Sequence, residues 1–201
     1  QTAGTGTTTF DGAVTTKGSA STDGLDLNGT AFIINAAVNT GTSGAVTITN
    51  SGLLTIGVNG DMTLGGAFLQ DGAGLVSTAG DITTTADNIY FTGGVTLTGN
   101  VALSMGTGTN AAITFHSTLN GTTDFTQTLG LTAAAGDIDF DGIVGGIKDL
   151  GIVTIVSAAN VTANAAFNAQ AINQTAGTGT TTFDGAVTTK GTLATDGLDL
   201  N

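Results

Sequence analysis

The sequence predicts an all-β chain, a parallel β-helix (β-solenoid) that winds with roughly 20–25 residues per coil. Three observations carry that prediction. The composition favours strands and turns over helices, short apolar clusters are fenced by turn residues, and related phrases recur at spacings in the low twenties.

Of 201 residues, 42 are Thr and 33 are Gly; Pro, Cys, Trp, Arg and Glu are absent, so all fifteen acidic residues are Asp. Thr, Val and Ile suit a pleated surface, whereas the straight-chain polar residues that sustain helices in water are almost missing. A helical bundle is excluded. With 40% apolar and 9% charged residues, the chain has enough apolar surface to pack and is unlike a disordered polar segment.

The elements follow as strands of three to five residues. Clusters run over 32–34, 46–48, 53–58, 62–64, 89–91, 95–97, 101–103, 113–115, 138–140 and 152–156, separated by Gly, Asn, Asp, Ser or Thr. Val46-Thr47-Ile48-Thr49 and Val95-Thr96-Leu97-Thr98 alternate strictly, which buries one side and turns Thr to water. Asn59-Gly60-Asp61-Met62 returns as Ala79-Gly80-Asp81-Ile82, and Phe91, Phe115 and Phe140 keep a similar spacing. One such spacing is one coil, whose two or three strands pair with the coils above and below. The absence of Pro fits, because each strand N–H serves a neighbouring coil and a Pro would delete a ladder bond. The alternative is a string of β-sandwich domains, but their longer strands and units of about 100 residues do not call for the long repeat described next. The Ala-rich stretch 158–173 carries Val161, Thr162 and four Asn, and is read as strand and turn rather than helix.

Residues 1–28 recur at 174–201 with 25 of 28 positions unchanged; only Ser19/Thr192, Ala20/Leu193 and Ser21/Ala194 differ. The offset of 173 residues reads as one full repeat, 1–173, followed by the start of a near-identical one, 174–201, in a continuous solenoid without a linker. The two copies should form equivalent coils, with Phe10 and Phe183, Val14 and Val187, and Leu25 and Leu198 at matching core positions.

The net charge is −12, with only Lys17, Lys148 and Lys190 as cations. That excludes nucleic acid and anionic membrane surfaces as partners. No run approaches the length of an apolar membrane span, and a lipid-facing barrel would want aromatic girdles that one Tyr and no Trp cannot supply.

The stretch GDIDFDGIVGGIKDLGIVTIVSAANVTANAAF (136–167) and the TTTFDGAVTTKG text of both copies resemble the degenerate β-strand repeats of giant bacterial surface proteins, the filamentous-haemagglutinin-like and autotransporter-like adhesins. The resemblance implies a right-handed parallel β-helix, export to the bacterial surface, and service as a long stalk or fibre in adhesion.

Candidate chemistry is sparse. Asp137, Asp139 and Asp141 form D-x-D-x-D-G, the opening of a calcium loop, but Lys148 stands where the twelfth position needs a bidentate Glu. The preferred reading sets Ile138 and Phe140 inward with the three Asp lining the wet side. Calcium through these residues is thus the only cofactor candidate, and no catalytic or cofactor residue is assigned. His116, the sole histidine, shares a side with Thr114; beside Ser117 it makes no triad, since strand neighbours point to opposite sides. A glycan-cleaving β-helix would need paired carboxylates, for which Asp23 with Asp26 or Asp137 with Asp139 are available, yet no Arg is present to offset an acidic substrate. Ice binding would need stacked T-x-T columns, but those beginning at Thr47, Thr83, Thr96, Thr107 and Thr126 are spaced too unevenly to align. N-x-[ST] triplets at Asn28, Asn120, Asn160 and Asn173 are what chance gives in so Thr-rich a chain.

The expectation is a non-enzymatic segment of an extracellular or cell-surface fibre. Its partner is itself, by end-to-end stacking of repeats or chains, with surface glycans or other cells as further candidates. An ice-binding or carbohydrate-binding solenoid is the alternative.

Overall fold

The structure, a computed structural model, describes all residues except Ser21, Asp23, Gly108 and 191–196. The described residues hold 24 short strands and no α-helix, every strand pairing is parallel, and the chain winds into a β-solenoid of about eight turns. No helix among them is long and apolar enough to cross a membrane.

Strands are numbered in chain order and fall on three faces. Face one carries β1 (Thr7–Phe10), β4 (Ala31–Ile34), β7 (Leu54–Ile56), β10 (Val76–Thr78), β13 (Val95–Leu97) and β16 (Leu119–Gly121). Face two carries β2 (Val14–Thr15), β5 (Val38–Asn39), β8 (Met62–Leu64), β11 (Ile82–Thr84), β14 (Val101–Ser104), β17 (Leu129–Thr132), β19 (Leu150–Ser157) and β21 (Phe167–Gln174). Face three carries β3 (Leu25–Gly29), β6 (Val46–Asn50), β9 (Phe68–Gln70), β12 (Ile89–Phe91), β15 (Thr109–Phe115), β18 (Ala135–Phe140), β20 (Val161–Ala163) and β22 (Thr181–Phe183).

Face one continues past β16 through single bridges, Leu119 to Val144 and Val144 to Phe167. Phe167–Ala169 then pairs with β23 (Val187–Thr189), while the second half of β21, Ile172–Gln174, pairs with β24 (Leu198–Leu200). The eight-residue strand β21 therefore bends around the corner between faces one and two. Four strands, β15, β18, β19 and β21, exceed the expected three to five residues, and the coil length varies from 19 residues (Thr78 to Leu97) to 28 (Leu103 to Leu131).

Alternation decides what enters the core. On face one Phe32, Leu54, Val76 and Val95 stack coil on coil, as do Ile34, Ile56, Thr78 and Leu97, and all are buried. The repeated phrase reads out the same way: Met62 lies in register with Ile82, and the Asp81 N–H donates to Asp61 Oδ1 at 2.9 Å. Phenylalanines form a ladder through the later coils. Phe91, Phe115 and Phe140 stack at 5.4 Å per step with nearly parallel rings, and Phe68 at one end and Phe167 then Phe183 at the other extend the series at 5.1–5.9 Å. The stretch 158–173 is strand and turn, as its Asn and β-branched residues require.

Two buried polar side chains are fully engaged. Gln70 Nε2 donates to Asn50 Oδ1 and to the Gly72 carbonyl, both at 2.7 Å, while Gln70 Oε1 accepts from the Thr92 and Gly93 N–H groups. These two amides are tolerated in the core because each of their oxygen and nitrogen atoms has a hydrogen-bond partner. The corners explain part of the glycine content. A Cβ on Gly74 would meet the Gly52 carbonyl oxygen at 1.8 Å, and one on Gly93 the Gly74 carbonyl oxygen at 2.0 Å. Coils about 4.8 Å apart leave no room there for a side chain.

At the two ends of the stack the core is only partly covered. Phe10, Val14 and Leu25 pack against it from one end, and Phe183 and Val187 from the other. Leu198 and Leu200, on the last described strand, are 46% and 45% exposed.

Candidate functional site

The residues with most chemical character gather on the outside of face three, in coils four to seven. Strand β18 alternates so that Ile138 and Phe140 are buried while Asp137, Asp139 and Asp141 face outward. Along an extended strand, alternate residues lie about 6.6 Å apart. The three carboxylates therefore form a row, whereas a Ca²⁺ ion needs oxygens converging on one point at 2.3–2.6 Å.

Two of the three are engaged with neighbouring coils. Asp137 Oδ1 accepts from the Asn160 N–H at 3.0 Å and from Asn160 Nδ2 at 2.9 Å. Asp141 accepts from Asn164 Nδ2 at 2.9 Å and lies 2.9 Å from His116 Nδ1. Asp139 sits between them, and its pKa is raised above the ordinary aspartate value. Partial burial is the main cause, followed by the like charges of Asp137 and Asp141. Among the described residues no group of three or more His, Cys, Asp or Glu is arranged to hold a metal ion.

His116 lies on the outside with Thr114, opposite buried Ile113 and Phe115. Its ring stacks near Tyr90 on the preceding coil, with centroids 6.3 Å apart and planes 24° from parallel. The row His116, Asp141, Asn164 escaped the sequence reading, though a signal for it was present. Phe115, Phe140 and Ala163 share one register, so the residues that follow them stack as well, whereas Tyr90 is in register with Thr114 and reaches the His116 ring diagonally.

Of the two paired-carboxylate candidates, the structure places one. Asp23 lies outside the described residues, so the pair with Asp26 has no described geometry. Asp137 and Asp139 are successive outward residues of one strand. Among the described residues, shallow grooves of about 280–380 Å³ are lined by one carboxylate apiece, Asp26, Asp71 and Asp81.

The T-x-T elements fall in different places: Thr47 on face three, Thr83 on face two, Thr96 on face one, and Thr107 and Thr126 in turns. The second Thr of the Thr107 pair has no described side chain. Face two does carry a single outward column, Thr15, Asn39, Thr63, Thr83, Ser104 and Thr132, in continuous register. It is one residue wide.

Two of the three lysines serve one corner. Lys148 Nζ lies 3.0 Å from Asp124 Oδ2, and with the Asp149 N–H it holds the Asp124 carboxyl below its ordinary pKa. Lys190 Nζ reaches Asp149 Oδ2 at 3.3 Å. Each of these contacts joins residues 24 to 41 positions apart, so the ion pairs, like the Asp–Asn bonds, tie one coil to another.

Compared with protein-family models, with curated protein sequences and with solved structures, the chain matches none.

Proposed function

We propose that this chain is a segment of a tandemly repeated, non-catalytic β-solenoid rod of a bacterial extracellular or cell-surface fibre, a spacer that projects or separates what it is joined to. One observation carries the reading. The 28-residue text at the start returns after 173 residues, and its second copy joins the same stack, β22 pairing β20 and β23 pairing β21.

The outer chemistry supports it. Several outer carboxylates and amides are used in bonds between coils, Asp11 with Asn35, Asp137 with Asn160 and Asp141 with Asn164. Such bonds stiffen the stack. Self-association by stacking of repeats is the interaction this architecture offers most directly, because an unpaired strand edge is a template for another strand.

The test is length. The second copy starts seven and two-thirds coils after the first, so at about 4.8 Å per coil each repeat adds about 37 Å. Chains carrying two, four and six repeats should appear in electron micrographs as straight rods lengthening by that increment. Beaded, bending particles would overturn the spacer reading.

A further inference from the structure

The two copies of the 28-residue text have the same local fold but occupy different faces. In the first copy Thr7–Phe10 lies on face one, Val14–Thr15 on face two and Leu25–Gly29 on face three. In the second, the matching Thr181–Phe183 lies on face three. Val187–Thr189 pairs with Phe167–Ala169 in the column that continues face one. Leu198–Leu200 pairs with Ile172–Gln174, which is in register with face two through Val153–Ile155.

Local contacts are nonetheless kept. Thr8 Oγ1 donates to Gln1 Oε1 at 2.9 Å, and Thr181 Oγ1 to Gln174 Oε1 at 2.6 Å. The Asn28 N–H donates to the Gln1 carbonyl at 2.9 Å, and the Asn201 N–H to the Gln174 carbonyl at 3.1 Å. The text thus rebuilds its own coil wherever it falls on the prism.

What covers that coil is also on view. In the first copy β1, β2 and β3 are covered by β4, β5 and β6, with Phe10 beside Ile34, Val14 beside Val38 and Leu27 beside Ile48. The second copy presents nearly the same strands with Leu198 and Leu200 exposed. We infer that the edge of β22, β23 and β24 is a docking surface for a coil with the sequence of residues 29–50, added in parallel register, and that each repeat joined this way is turned by one face relative to the one before.

The inference rests on the tandem-rod reading and adds to it an azimuth. Seven and two-thirds coils per repeat come to 23 whole coils in three repeats, about 110 Å of rod. A feature carried once per repeat, such as the Tyr90 and His116 pair, then points in three directions in succession and returns to one side at every third repeat. A lateral partner reading one face meets it at that interval, and rods can bundle on all three sides.

The native chain has no cysteine, so paired substitutions report register cleanly. Adjacent parallel strands lie within the Cα separation that a disulfide bridges. In the full chain Thr55→Cys with Ser77→Cys is the control for the stack itself. Thr162→Cys with Thr182→Cys should cross-link as readily as the control, since those residues are in register on face three. Asn168→Cys with Thr182→Cys should not, because Asn168 is in register with Thr188. Cross-linking of the Asn168 pair in place of the Thr162 pair, with the control intact, would overturn the rotation and leave the rod reading standing.

For docking, the full chain is extended by a further copy of residues 29–201. Asp199→Cys should cross-link to the Thr47→Cys of the added copy, as Asp26 lies beside Thr47 here. A junction that stays uncross-linked in a chain whose control pair closes would overturn the docking inference. Flexible joints in micrographs of a chain whose junction does cross-link would overturn the rod reading alone.

Discussion

Phe115→Ala tests whether the stack is held by its aromatic ladder. Phe115 is 1% exposed, with the rings of Phe91 and Phe140 each 5.4 Å away and inclined by only 7° and 1°. Truncation removes the transfer energy of a buried ring, leaves a cavity that a close-packed core fills poorly, and breaks two ring contacts. The expected loss is about 3–5 kcal/mol. With a urea m-value of about 2–3 kcal/mol/M, the unfolding midpoint should fall by about 1–2.5 M. Phe183→Ala is the internal comparison. That ring is partly buried at the end of the stack and has Phe167 as its aromatic neighbour at 5.9 Å, so its loss should be about 1–2 kcal/mol. Urea titrations followed by far-ultraviolet circular dichroism measure both. Equal losses at the two positions would refute the reasoning, because they would mean that a coil's place in the stack does not set the burial of its core.

Asp139 has a raised folded-state pKa, so the folded chain holds its proton more tightly than the unfolded chain and stability falls as pH rises from the ordinary aspartate value of 3.8 through the raised one. Asp139→Asn should therefore raise the melting temperature at pH 7 and lose that advantage below pH 3.8, as read by thermal melts across pH. Gly145→Ala should destabilise by at least about 2 kcal/mol, since Gly145 has φ +66° and an added Cβ would lie 2.1 Å from the Asn168 carbonyl oxygen; the check is a urea midpoint. Millimolar Ca²⁺ should leave the melting temperature unchanged, whereas a site at Asp137, Asp139 and Asp141 would add about 2.7 kcal/mol at a hundred times its dissociation constant. A calcium-dependent rise abolished by Asp139→Asn would restore the calcium reading.

Much of this structure was legible in the sequence because a solenoid is built from local rules. Strict alternation placed Ile138 and Phe140 inward and their neighbouring aspartates outward, and the recurring Gly-Asp phrase set Asp61 one coil from Asp81. Cross-coil partners were harder to read. That Asp141 would meet His116 and Asn164, or Lys148 meet Asp124, depends on the lengths of the intervening coils. Those run from 19 to 28 residues, a spread larger than one face of a coil. For the same reason the face occupied by the second copy could not be counted from the text. Over seven coils the accumulated variation exceeds the one-third of a turn that separates one face from the next.

That one-third turn also bears on what such a rod can do. A strand here needs only alternating residues and a parallel neighbour on each side, so the three faces are interchangeable to the text that folds onto them, and a repeat need not contain a whole number of coils. A surface that matches an extended flat lattice is under a stricter demand, because its ligand columns must stay on one face from repeat to repeat. The polar column of face two, from Thr15 to Thr132, is one residue wide. In an array turned by one face per repeat, it would leave that face after about 37 Å. A spacer suffers nothing from the turn: its length depends on the number of coils and not on where each repeat begins, and distributing surface features over three directions leaves it no single sticky side.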